Sequence, residues 1–180
     1  MKLNIGCGSV LLDGFINVDA ALDPKNEVKP DIICNLKESP LPFKAAEAET
    51  IHAMHIIEHI EQGYWPGIFA EFHRVLRTEG TLILAYPEFE VCAKNFLENY
   101  KGARDFWRMT LYGRQSYLGD YHVVPMRTPE VITYLQSYGF DNIKYGPEDA
   151  EEWNTFIVCK KAASPKTRVE LYKKEIFNLN

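Results

Sequence analysis

Three stretches of this chain bring together side chains that could do chemistry. The most conspicuous is His55-Ile-Ile-Glu58-His59, two imidazoles four residues apart with a carboxylate between them. If one helix runs through all five residues, this is the H-x-x-E-H spacing of zinc sites, with both rings on one face and a glutamate as general base. A third ligand would then have to come from Glu71, Glu79 or Glu88. If the segment is a strand end and the turn after it, the rings do not share a face and no metal is expected. The second stretch is Lys2-Leu-Asn4-Ile-Gly6-Cys7-Gly8-Ser9, followed by Phe15-Ile-Asn-Val-Asp19. Glycines at a strand's end let the backbone approach a ligand closely and leave N–H groups free to bind it. A carboxylate ending the next parallel strand can accept both hydroxyls of a ribose. Gly6, Gly8 and Asp19 together point to a cofactor of nucleoside type. The third is His122 in Gly119-Asp-Tyr-His122, a loop imidazole that could act as a base or hold an acceptor, or simply bond to backbone.

The elements that must position these residues can be read from periodicity. Leu3–Ile5 and Phe15–Val18 read as buried parallel strands, with Asp31–Cys34 and Thr50–Met54 as the third and fourth. Parallel neighbours need a crossover of about a dozen residues or more. Only Gly6 to Gly14 joins the first two, so the first helix is cut to about one turn or replaced by a loop. The site would be more open on that side. Pro40 and Pro42 enforce an extended loop. Pro66 opens a helix whose apolar face is Ile68, Phe69, Phe72, Val75 and Leu76, closed by Glu79-Gly80. Thr81–Ala85 is the clearest strand, and Tyr86-Pro-Glu88 follows it at the edge where such sheets place ligands. A helix over Pro129–Ser137 and strands at Asn142–Tyr145 and Thr155–Lys160 complete the pattern, the last pair joined by the acidic link Glu148–Glu152 as an antiparallel return. Alternation of this kind defines an α/β fold, doubly wound around a mostly parallel sheet.

Residues 94–121 interrupt the rhythm. Phe96, Tyr100, Phe106, Trp107, Tyr112, Tyr117 and Tyr121 lie among three arginines, with Gly102, Gly113 and Gly119 as joints. The segment is either a helical insertion packing its aromatics into the core or a lid over a ligand. Residues 1–161 form one domain, and 162–180 form a tail or short helix that could pair two copies as a homodimer. The 180 residues suffice for a full core. A net charge of −5 offers no broad basic surface, which argues against a nucleic-acid partner. Four scattered cysteines, no signal sequence and no apolar run near ~20 residues predict a cytoplasmic protein that does not span a membrane.

Asn4-Ile-Gly6-Cys-Gly8-Ser9 with Asp19 resembles the S-adenosylmethionine (SAM) site of class I methyltransferases. Asn35-Leu36, Leu41-Pro-Phe43, His55-Ile-Ile-Glu58-His59, Phe72-His-Arg-Val-Leu76, Gly80-Thr-Leu-Ile-Leu84 and Tyr138-Gly-Phe140 match, in order, segments of small methyltransferase-like proteins across roughly residues 2–161. The resemblance implies a Rossmann-like methyltransferase fold and SAM as cofactor. It sets Gly6, Gly8 and Ser9, with Asn4 and Cys7, around the methionine end, and Asp19 on the ribose. Asn35 and Leu36 fall at the adenine and Met54 and His55 near the methyl group. It implies transfer to a small molecule or saccharide-like acceptor, with His122 as the candidate catalytic base. Asn4 stands where the motif is usually acidic and Val10 where a third glycine would be. Those departures keep open a SAM-binding but inactive partner subunit, and His55, Glu58 and His59 keep open a zinc hydrolase.

Overall fold

The sheet grows outward from a short first strand, β1 (Lys2–Ile5), whose Leu3, Asn4 and Ile5 are all buried. The other strands are β2 (Ile16–Asp19), β3 (Ile32–Ile33), β4 (Ala48–Met54), β5 (Leu76–Pro87), β6 (Phe140–Pro147) and β7 (Asn154–Lys161). The structure is a computed structural model and describes residues 1–25, 27–147 and 153–163. Among these residues the strand order is β3-β2-β1-β4-β5-β7-β6. The pairs from β3 through β5 are parallel, and β7 runs antiparallel to both β5 and β6. This is the doubly wound, mostly parallel sheet that the alternation predicts. The acidic link 148–152 and the tail from 164 onward, on which the expected pairing of two copies rests, lie outside the described residues.

Helices α1 (Trp65–Val75) and α4 (Thr128–Ser137) press apolar faces against one continuous core. Pro66 sits in the first turn of α1, where its missing N–H leaves nothing unpaired. The rings of Phe69 and Tyr134 stack at 6.1 Å, and that of Trp65 meets Tyr134 edge-on at 5.3 Å, joining the two helices. One boundary differs from expectation. The helix ends at Val75, because Leu76 is already extended and pairs with Ala48 as the first residue of β5. Glu79-Gly80 therefore lies in an irregularity within β5, where Glu79 has φ of 60° and a Cβ on Gly80 would come within 2.7 Å of the Arg77 carbonyl oxygen.

No helix or strand occupies residues 6–15, so a loop replaces the first crossover helix. Two buried asparagines explain how the loop holds. Asn4 and Asn17 pair across β1 and β2, and the Asn4 amide donates both to Asn17 Oδ1 and to the Val10 carbonyl, each at 2.9 Å. Asn17 Oδ1 also accepts from Leu12 N–H at 2.9 Å. Side-chain amides thus satisfy backbone groups that a helix would have satisfied internally.

The aromatic insertion comprises α2 (Phe89–Leu97), a 3-10 turn (Tyr100–Gly102) and α3 (Arg104–Tyr112). Of its seven aromatics only Trp107 is buried, with Tyr100, Phe106 and Trp153 around it. The insertion packs around its own small cluster. Its return strand is tied back by a bridge between Gly113 and Tyr121 and by His122 N–H donating to the Tyr112 carbonyl at 3.1 Å. Among the described residues no helix is long and apolar enough to cross a membrane.

Candidate functional site

The carboxyl ends of β1, β2 and β4 meet at one cleft. Gly6 turns the chain out of β1 with φ of +68°, and a Cβ there would lie 2.5 Å from Ile56 Cδ1. Only glycine fits that conformation against that neighbour. Gly8, at φ of +51°, faces open space. Its N–H donates to Asp19 Oδ2 at 2.9 Å, and Ala21 N–H donates to Oδ1 at 2.6 Å. Each Asp19 oxygen keeps a lone pair for a hydroxyl donor. Ser9 is exposed beside Gly8. Cys7 is buried, and burial together with Asp19 pushes its thiol up to about 11, which makes it a filler of space and not a nucleophile.

Beyond Asp19 an open groove runs between the ends of β2 and β3, lined by Ala20, Leu22, Ile33, Asn35, Pro40 and Pro42 among others. Ile33 is 72% exposed there, an apolar surface on a two-residue edge strand. Asn35 lies on the groove with its amide donating to Glu38 Oε1 at 2.9 Å, while Leu36 packs against the core. The tip of the insertion reaches across to this side. A Cβ on Gly119 would sit 3.0 Å from Leu22 Cδ1, and burial, then the charges of Asp120, Asp19 and Asp23, raise the Tyr117 hydroxyl above its usual range.

The other wall follows β4. Met54 ends the strand half-buried, and exposed His55 adopts φ of +53°, an uncommon conformation for a residue with a side chain. The turn it starts carries Ile57–His59 as a single 3-10 turn. One helix does not contain all five residues of the H-x-x-E-H stretch, so the zinc-hydrolase geometry with His55 and His59 on one face is absent. Instead Asn154 donates to His55 Nε2 at 3.1 Å, leaving His55 Nδ1–H to meet Glu58 Oε1 at 3.2 Å. Glu58 is 1% exposed, and its Oε2 has no hydrogen-bond partner. Val123 N–H donates to the Glu58 carbonyl at 2.9 Å, and the rings of His59 and His122 meet edge-on at 4.8 Å. Burial holds the His122 imidazole below its usual range, so it is neutral near pH 7.

The predicted residues therefore divide. Gly6, Gly8, Ser9, Asp19 and Asn35 lie along one side of the cleft, and Met54, His55 and His122 along the wall after β4. Asn4 and Cys7 are buried, Asn4 as the pin of the glycine loop, and half-buried Leu36 packs against the core. Tyr86-Pro-Glu88 is a strand-ending network: Glu88 Oε2 accepts from Thr128, and the buried Tyr86 hydroxyl meets Thr128 Oγ1 at 3.1 Å. His52 packs edge-on against Phe15 and His73 against Phe140. Sequence reading missed Asn17 and Asn154. An asparagine two residues before Asp19 in an otherwise apolar strand was the available signal for the first.

A seven-stranded sheet of this order, with its cleft at the carboxyl ends of the first strands, is a Rossmann-like α/β fold. Residues 3–84 match the family model described as a methyltransferase domain. No curated protein matches the chain by sequence. Among solved structures, a SAM-dependent methyltransferase from Methanosarcina mazei is 16% identical, with a TM-score of 0.59 over 91% of this chain and 92% of that one. One from Archaeoglobus fulgidus is 14% identical, with a TM-score of 0.61 over 89% and 85%. A Thermotoga maritima protein described as a SAM-dependent methyltransferase, possible histamine N-methyltransferase, is 16% identical, with a TM-score of 0.57 over 89% and 81%. At these identities the structural likeness concerns the fold, and the sequence match concerns residues 3–84. That stretch is thus similar to a methyltransferase domain, and the fold is one that SAM-dependent methyltransferases share.

Proposed function

We propose that the chain transfers a methyl group from SAM to a small-molecule or saccharide-like acceptor bound between the turn after β4 and the insertion. The reading is carried by one observation. The Gly8 and Asp19 cradle, which can take a nucleoside, and the Glu58, His59 and His122 cluster, which can take an acceptor, both lie against residues 117–122: Tyr117 feels the charge of Asp19, and the Tyr121 carbonyl meets His59. Bound SAM supplies a methyl on a cationic sulfur; the acceptor's lone pair forms the new bond as the sulfur–methyl pair returns to sulfur, leaving S-adenosylhomocysteine.

This chain's own residues bind and orient. Asp19 accepts the ribose hydroxyls while Gly8 N–H and Ala21 N–H keep its carboxylate fixed. Leu22 and Ile33 offer an apolar face to the adenine, with Asn35 beside it. Gly6, Gly8 and Ser9 line the methionine end, and Met54 and His55 stand where the methyl group is presented. Neutral His122 takes the acceptor side, where an imidazole can hold or deprotonate an acceptor. The insertion tip at Tyr117 and Gly119 roofs the cleft, which favours a small acceptor over a polymer surface. The description of the Thermotoga maritima neighbour, a possible histamine N-methyltransferase, names an acceptor of that size class.

Isothermal calorimetry with S-adenosylhomocysteine tests the reading. Uptake of one molecule per chain, weakened in Asp19→Ala, is the expected result. A folded wild-type protein that takes up none would remove it.

A further inference from the structure

We propose that Glu58, His59 and His122 form a site for a divalent first-row cation of the Mn²⁺, Co²⁺ or Zn²⁺ kind, which holds chelating oxygens of the acceptor. One ligand atom from each of the three residues lies within 4.8 Å of the other two. That is close enough for small side-chain rotations to close on one ion. The trio differs from the one the H-x-x-E-H spacing suggests, since His55 stands behind Glu58 and His122 arrives from the insertion.

The hydrogen bonds around the trio leave their metal-binding lone pairs unused. His59 Nδ1 lies 3.0 Å from the Tyr121 carbonyl, and His122 Nδ1 lies 2.9 Å from the Thr110 carbonyl. A carbonyl only accepts, so both Nδ1 atoms carry the proton and both Nε2 atoms present a lone pair. An imidazole whose second nitrogen is anchored on a carbonyl is the usual state of a metal ligand. Glu58 Oε1 meets the anchored His55, while its buried Oε2 meets nothing. An unpartnered carboxylate oxygen out of water is costly, and a cation is the partner that would offset it.

Two imidazoles and one carboxylate suit first-row transition ions better than Ca²⁺ or Mg²⁺. Three protein ligands leave positions open, as catalytic metal sites do. Acceptor oxygens would fill them, and a bound hydroxyl ionises more readily. This names an acceptor class, a hydroxyl beside a second oxygen such as a vicinal diol. The acceptor role rests on the methyltransferase reading; binding of the cation does not.

The test uses chelator-treated, desalted protein titrated with Co²⁺ and followed by visible absorption and calorimetry. The expected result is one Co²⁺ per chain with a ligand-field spectrum. Glu58→Gln should weaken binding about 10–100-fold, and the His59→Ala/His122→Ala pair should abolish it. Where a variant fails to fold, diethyl pyrocarbonate labelling of the wild type serves instead. Co²⁺ should protect His59 and His122 and leave His52 unchanged. No spectrum with the wild type, equal binding by the variants, or no protection would overturn the site. If S-adenosylhomocysteine binds and Co²⁺ does not, this inference falls and the methyltransferase reading stands. If Co²⁺ binds and the thioether does not, the site stands without its acceptor role.

Discussion

The two halves of the sheet are built differently. From β4 outward the strands run 7, 12, 8 and 8 residues, and α1 and α4 bury Trp65, Phe69, Phe72 and Leu135 against the core. From β1 the other way they run 4, 4 and 2 residues, with a loop in place of the first helix and Ile33 bare at the edge. One half is stabilised by apolar area and the other by specific hydrogen bonds from Asn4, Asn17, Asp19 and Asp31. The proposed cofactor contacts lie on the thin half, and the Glu58, His59 and His122 cluster lies on the wall the thick half supports. Rigidity falls where the acceptor must be aligned, and openness where a large cofactor must enter.

The contrast can be broken most forcefully at Phe69, which is fully buried among Trp65, Phe72 and Tyr134. Phe69→Ala should cost about 3–5 kcal/mol in denaturant unfolding. Affinity for S-adenosylhomocysteine in the folded fraction should not change. A large loss of affinity would show that the halves are not separable.

Asp19→Ala should do the reverse. Affinity for S-adenosylhomocysteine should drop by about 1.5–3 kcal/mol, the range for hydrogen bonds to a charged group. Stability should fall less, because Gly8 N–H and Ala21 N–H can turn to water at this partly exposed site. Calorimetry beside a denaturant melt reads both quantities.

Asn17→Ala tests the pin within the thin half. It strands the Leu12 N–H and the buried Asn4 amide, which should cost about 1–3 kcal/mol of stability. Affinity for the cofactor product should fall with it, since the loop that presents Gly8 loses its anchor. Unaltered hydrogen exchange across residues 6–15 would show that the loop holds without the asparagine.

Much of the thick half is legible in the sequence because apolar periodicity is what builds it. Ile68, Phe69, Phe72 and Val75 announce α1, and Thr81–Ala85 announces β5. The helix boundary went astray at Leu76, where an apolar residue suits either element and pairing with Ala48 decides. The thin half is legible only as spacing: nine residues between two strands exclude a full helix, yet nothing local says that Asn4 and Asn17 replace it. The site cluster is the least legible. His59 and Tyr121 are 62 residues apart and meet because α3 turns back at Gly113. Local spacing pointed to His55 with His59, whereas the turn at His55 swings Glu58 and His59 toward His122. The seven aromatics suggested core or lid, and it is Gly119 beside Leu22, Tyr117 near Asp19 and the Tyr121 carbonyl on His59 that relate the insertion to the cleft.

The smallest expected effect is a slope with pH, and it reports on the seam between the halves. His52 lies on β4 with its ring edge-on to Phe15 at 5.0 Å, and Phe15 in turn carries the Lys2 ammonium 5.7 Å from its ring centre. Burial, and then the charge of Lys2, hold the His52 imidazole below its usual 6.5. The unfolded chain therefore binds more protons than the folded chain at and just below pH 6.5. Stability must fall as the pH drops through that range, and level off once the folded imidazole is also protonated. Above pH 6.5 the contribution is fully present and constant. His52→Gln should make this part of the stability profile shallower, leaving the share that the likewise depressed His122 contributes, and should leave acid unfolding at lower pH, which carboxylates such as Asp31 govern, in place. Asp31 has its carboxyl held below 3.8 by the Asn17 backbone and side-chain bonds, so its own contribution disappears only at more acid pH. Thermal melts of the wild type and the variant between pH 5 and pH 8 separate the two. Identical slopes would mean that the seam accommodates a protonated His52 freely, and that the thin half is tied to β4 more loosely than its packing against Phe15 implies.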